Sequence, residues 1–126
     1  MKKFTKVFAV VLVAVMALAL LTACGPASDP DRAKAALEKN GYTAIKASTG
    51  GFAGLKAIVT GTKGLLSGDA QTVTIYYFED AKAAKDAWED IKSESDSKGK
   101  DKSDWVVGQS GAMIYYGTKD AIKAAR

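Results

Sequence analysis

The chain has 126 residues, 48% of them apolar, and 18 Lys and Arg against 14 Asp and Glu give a formal net charge of +4. It contains no histidine and one cysteine, which removes Ser-His and Cys-His nucleophile pairs, the commonest general base and most transition-metal sites. Carboxylates, lysines, tyrosines and hydroxyls are what remain for chemistry, so the expectation is a protein that is not an enzyme and needs neither metal nor cofactor.

The first element is a leader. Lys2, Lys3 and Lys6 precede an unbroken apolar run from Val7 to Leu20, and the small residues Thr22 and Ala23 come before Cys24. This is the order of a secretory signal, and the run is shorter than the roughly 20 residues a spanning helix needs. Apolar character ends at once with Gly25, Pro26, Ser28, Asp29 and Pro30. Leu21-Thr22-Ala23-Cys24 resembles the lipobox of bacterial lipoproteins. The resemblance covers residues 1–24 and implies cleavage of a signal peptide (1–23) between Ala23 and Cys24. It further implies a diacylglycerol on the Cys24 thiol and acylation of the new amine. The protein would then sit on a cell membrane facing out of the cytoplasm, at the outer surface or in a periplasm. Gly25 stands where enteric lipoproteins retained at the inner membrane carry Asp. The alternatives are an uncleaved N-terminal membrane helix, or an ordinary signal peptide that a cysteine happens to follow.

Without residues 1–23 the chain keeps 103 residues, one domain's worth. Three lysines leave with the leader, so fifteen basic side chains face fourteen acidic ones, a net of +1. A nucleic-acid binder would show a clustered basic surface instead. With Cys24 capped there is no disulfide, and the domain relies on its apolar core.

Cys24 and residues 25–28 are expected to form a short tether to a single domain over 29–126. Asp29 is a suitable N-cap with Pro30 at the first helical position, and Asn40-Gly41 is a stop signal. Tyr42 to Ser48 reads as a short strand, and residues 49–54 as a flexible connection. Leu55 to Thr62 is a second strand, with Leu55, Ala57 and Val59 alternating against Lys56, Ile58 and Thr60. Ser67-Gly68-Asp69 punctuates a loop before Gln71 to Phe78, the strongest strand. Asp80 opens the longest helix, predicted to about Ser93, with Ala84, Ala87, Trp88 and Ile91 as its core stripe. Residues 93–104 carry no apolar side chain and read as a solvated loop. Trp105-Val106-Val107 and residues 112–116 are strands about a turn at Gln109-Ser110-Gly111. Thr118 is placed to cap a last short helix with Ala121, Ile122 and Ala125.

Ile75-Tyr76-Tyr77 with its following Ala/Lys helix is echoed by Ile114-Tyr115-Tyr116 and the last helix, which suggests a degenerate ββα unit used twice. The order αβββαββα predicts a two-layer α+β fold, an antiparallel sheet of about five strands with its helices on one face.

Other motifs carry little. Ser95-x-x-Lys98 and Ser97-x-x-Lys100 match a nucleophile-lysine spacing, but in a charged stretch with none of the partner motifs. Glu94-x-Asp96-x-Lys98-Gly99 puts lysine where a calcium loop needs oxygen. Gly50, Gly51 and Gly54 lack the ending of a phosphate loop. Glu79, Asp80, Asp86, Glu89 and Asp90 are interleaved with lysines, as on a solvated helix face. The aromatics point further. If Tyr77 and Tyr116 face the core with Ile75 and Ile114, then Tyr76, Phe78, Met113 and Tyr115 share the opposite, open face. That face is the expected interaction surface, for an envelope protein or a small solute. The functional expectation is a membrane-anchored extracytoplasmic interaction module. The alternative is a structural envelope lipoprotein without a discrete site.

Overall fold

The computed structural model describes residues 25–48, 51–64 and 70–126. Its elements run α1 (Pro30–Lys39), β1 (Thr43–Ala47), β2 (Leu55–Lys63), β3 (Gln71–Phe78), α2 (Ala81–Lys98), β4 (Trp105–Ser110), β5 (Met113–Thr118) and α3 (Lys119–Ala124). The strands form one antiparallel sheet in the order β1-β2-β3-β5-β4. This is the predicted α+β order. Cys24, Ala23 and the rest of the leader, Thr49-Gly50, and the Ser67-Gly68-Asp69 loop lie outside the described residues.

Local chemistry sets most element ends. Asp29 accepts a hydrogen bond from the Asp31 amide at 3.0 Å, and Asp80 accepts one from the Ala83 amide at 2.8 Å, as expected of N-caps. Gly41 follows α1 with φ +85, the left-handed conformation that ends helices at little cost for glycine. The β4–β5 turn is tighter than expected. Pairing continues to Ser110↔Met113, which leaves Gly111 (φ +58) and Ala112 as a two-residue hairpin loop.

Two elements differ from the sequence reading. Helix α2 runs through Ser93 to Lys98, because its buried stripe of Ala84, Ala87 and Ile91 continues to a polar residue, Ser95. Ser95 is 0% exposed and its hydroxyl accepts a hydrogen bond from Trp105 Nε1 at 2.9 Å. The last turns of α2 carry the i,i+4 pairs Lys92–Asp96 at 3.1 Å and Glu94–Lys98 at 3.6 Å. Thr118, for its part, makes no side-chain cap to α3. Its hydroxyl accepts from the Thr72 amide at 3.2 Å instead and so joins β5 to β3.

The helices lie on both faces of the sheet, not one. Ala33 and Leu37 of α1 and Ala121 and Ile122 of α3 share a core with Ala57, Val59, Val73, Ile75, Tyr77, Met113 and Tyr115. On the other face Ala84, Ala87 and Ile91 of α2 pack on Tyr76, Phe78, Ile114 and Tyr116. The two-layer expectation is corrected to helix, sheet, helix.

The same inversion limits the ββα echo. The units occupy matching places in the sheet order, yet Ile75 faces α1 and α3 while Ile114 faces α2. A dyad relating antiparallel neighbours runs perpendicular to the sheet and keeps both helices on one face. The two halves are therefore not related as a structural repeat.

Close approaches constrain several glycines, Gly61 and Gly117 among them. A Cβ on Gly61 would stand 2.8 Å from the Leu37 side chain, where α1 rests on β2. Gly117 has φ +153, and a Cβ there would run into the Thr72 carbonyl. Gly117→Ala is expected to destabilise the domain by about 2 kcal/mol or more, and Gly61→Ala by less, since Leu37 can shift. Urea unfolding of both variants checks the order.

Candidate interaction surface

The four side chains expected on an open face are all buried, from 1% exposure for Tyr115 to 6% for Tyr76. They also lie on opposite faces. Tyr76 pairs across the sheet with Ile114, and Ile75 with Tyr115, so Tyr76 and Phe78 point toward α2 while Met113 and Tyr115 point toward α1 and α3. Directly opposed residues share a face. The grouping of Tyr77 with Tyr116 is out of step by one residue, which reverses every side chain on a strand.

Under α2 the rings form a linked row across the sheet. Phe52 meets Tyr76 edge-on at 5.8 Å, Tyr76 lies 6.2 Å from Tyr116, and Tyr116 lies 5.7 Å from Trp105. The Tyr76 hydroxyl donates to Glu94 at 2.7 Å. Lys98 holds its Nζ 5.6 Å from the centre of the Tyr116 ring. Burial lowers the Lys98 pKa, but Tyr116 and Glu94 outweigh it and leave the ammonium more firmly protonated. The Tyr115 hydroxyl, by contrast, is buried with no hydrogen-bond partner.

Four tyrosines resist ionisation. Burial raises the pKa of Tyr42, Tyr76, Tyr77 and Tyr115, helped by Asp120 at Tyr42, Glu94 at Tyr76 and Asp29 at Tyr77.

What stays open is a different part of the sheet. Helix α2 lies mainly over β3, β4 and β5, and Leu55 and Ile58 of β2 still pack against the core beneath it. Among the described residues no helix covers the rest of that face of β1 and β2, where Thr60 and Thr62, with Thr72 and Thr74 of the adjoining β3, are half-buried. Two rows cross that ledge: Thr43, Thr62 and Thr72, then Ile45, Thr60 and Thr74. Ile45 is 65% exposed, the one large apolar side chain so exposed among the described residues. It belongs to β1, an edge strand of five residues, four of them exposed. The other edge, β4, is at least half-buried along its length. Sequence reasoning passed over this ledge because threonine alternation on a strand reads the same whether or not a helix covers it.

The surface also carries two concavities of about 350 Å³ each. One lies between residues 51–54 and the first half of α2, floored by Phe52, Ala83 and Ala87 and rimmed by Lys82, Asp86 and Asp90. Lys82 pairs with Asp86 at 3.7 Å. The other is an open cleft where Lys63 donates to the Asn40 carbonyl at 3.1 Å and lies 5.4 Å from the centre of the Tyr42 ring. Among the described residues no group of three His, Cys, Asp or Glu is placed to hold a metal ion. Nor is any helix among them long and apolar enough to cross a membrane. No protein-family model, curated protein or solved structure matches the chain.

Two predictions separate these tyrosines. Tyr76→Phe loses the Glu94 bond and should cost about 1–2 kcal/mol, whereas Tyr115→Phe removes an unpartnered buried hydroxyl and should be neutral or stabilising. Chemical denaturation of both decides. A pKa raised in the folded state means the native protein keeps protons that the unfolded chain releases. Stability should thus hold up to the unfolded tyrosine pKa of about 10 and fall as pH rises further. Tyrosinate absorbance of these four should accordingly rise together with loss of the far-ultraviolet circular dichroism, not before it.

Proposed function

We propose that this protein is a lipid-anchored, extracytoplasmic interaction module whose partner adds an extended segment to the β1 edge and covers the threonine ledge. The observation that carries the reading is Ile45: a large apolar side chain, exposed on a short edge strand, beside a stretch of sheet over which no helix lies among the described residues. Exposed edges offer unpaired backbone donors and acceptors to an incoming strand, and proteins ordinarily blunt them. Here the edge lysine does not serve that end, because Lys46 turns to the opposite face and pairs with Asp31 at 2.8 Å. The ledge supplies the side-chain contacts: hydroxyls from Thr60, Thr62, Thr72 and Thr74, and apolar area from Ile45 and Ile58.

The anchor in this reading rests on Leu21-Thr22-Ala23-Cys24 and the leader before it. It requires a diacylglycerol on Cys24 and places the domain on a membrane surface facing out of the cytoplasm. The absence of histidine keeps catalysis out of the proposal.

Photo-crosslinking tests the surface directly. A crosslinker at Ile45 should capture one protein of defined mass from the envelope, and one at Ala35, exposed on α1 across the sheet, should not. Ile45→Lys should reduce capture from a second ledge position, Thr43, at least tenfold with no change in melting temperature. Equal capture from positions 35 and 45, or capture indifferent to Ile45→Lys, would remove the ledge as the site.

A further inference from the structure

The domain begins closer to Cys24 than a tether over residues 25–28 would allow. Ala27 is held at both of its backbone polar groups: its amide donates to the Ala125 carbonyl at 2.8 Å, and its carbonyl accepts from the Tyr77 hydroxyl at 2.7 Å. Its methyl group packs on the core beneath α1 and α3, and Pro26 before it is buried. Only Gly25 and Pro26 separate Ala27 from Cys24, three steps along the chain and a reach of about 10 Å when fully extended.

We infer that the layer of α1 and α3 is the membrane-facing side of the domain, held against lipid headgroups by this clamp, with the threonine ledge directed away from the bilayer. The inference rests on the lipid anchor proposed above and adds the orientation that anchor imposes. A lipid on Cys24 fixes one point at the bilayer interface, and the clamp fixes another about 10 Å along the chain. Ala27 and Tyr77 belong to the face covered by α1 and α3, whereas Thr60, Thr74 and Ile45 lie on the other. A free tether of ten residues or more would let the domain tumble, but two or three unclamped residues do not. Charge does not oppose the contact: Asp29, which acts on the Tyr77 hydroxyl, together with Asp31 and Glu38 of α1 and Asp120 of α3, is outnumbered by Arg32, Lys34, Lys39, Lys119 and Lys123 of the same two helices. The partner would then meet the ledge from the aqueous side.

The experiment uses the lipidated chain in vesicles of phosphatidylethanolamine and phosphatidylglycerol that carry nitroxide headgroups. Since Cys24 is the one cysteine and its thiol is blocked by lipid, a single fluorophore can be placed through Ala35→Cys or Ile45→Cys. Position 35, on the exposed side of α1, should be quenched several-fold more than position 45. Tyr77→Phe, which releases one half of the clamp, should bring the two closer together, and a ten-residue Gly-Ser insertion after Cys24 should make them equal. Circular dichroism of each variant establishes that the fold is kept. Equal or reversed quenching in lipidated protein of otherwise natural sequence would overturn the orientation and leave the anchor standing. A mass spectrum showing an unmodified Cys24 would overturn the anchor, and the orientation with it.

Discussion

The pairing of β3 with β5 is the constraint on which the rest depends. Tyr76 stands opposite Ile114 and Ile75 opposite Tyr115, so each strand sends one tyrosine of its pair to each side. Both faces of the sheet centre thereby carry apolar and aromatic area that must be removed from water. At about 25 cal/mol per Å² of apolar surface, leaving either face bare would cost several kcal/mol. One helical layer cannot cover both. The long α2 lies across β3, β5 and β4 on one side, and the shorter α1 and α3 share the other. The sandwich of helix, sheet and helix follows from register.

The edges follow in turn. With α2 committed to β3, β4 and β5, no other helix among the described residues covers the same face of β1 and β2, and beyond Leu55 and Ile58 the alternation there changes from aromatic to threonine. Thr60 and Thr74 are paired neighbours on adjacent strands, tolerant of water on one side and of a partner on the other. Ile45 is the exception, too apolar for a solvated edge and too exposed for a core. Under the proposed function, one exposed apolar anchor in a polar field suits association that forms and releases. A permanent interface would be more hydrophobic throughout.

The clamp at Ala27 links the two ends of the described chain. Tyr77 reaches through the core to the Ala27 carbonyl, and Ala125, at the end of the last helix, accepts from its amide. Ala27, β3 and the end of the last helix are thereby tied together. Under the proposed function this clamp links the anchor to the direction of the ledge, because Ala27 and the ledge lie on opposite faces of the same sheet.

Much of this was written locally in the chain. Asp29-Pro30, Asp80, Asn40-Gly41 and the β-branched run at 71–78 place their elements by capping and propensity, which act over a few residues. The lipobox resemblance is likewise confined to residues 1–24, and the missing histidine needs no fold to be read. Ser95 escaped because a polar residue at a core position is buried only when a partner such as Trp105 arrives from ten residues away. The exposed aromatic face escaped for a related reason. Alternation states which residues of one strand share a side, but not which side of the neighbouring strand they join. That is settled by cross-strand register, a long-range pairing, and in this protein it decided that the tyrosines are core while Thr60, Thr62, Thr72 and Thr74 are left half-buried.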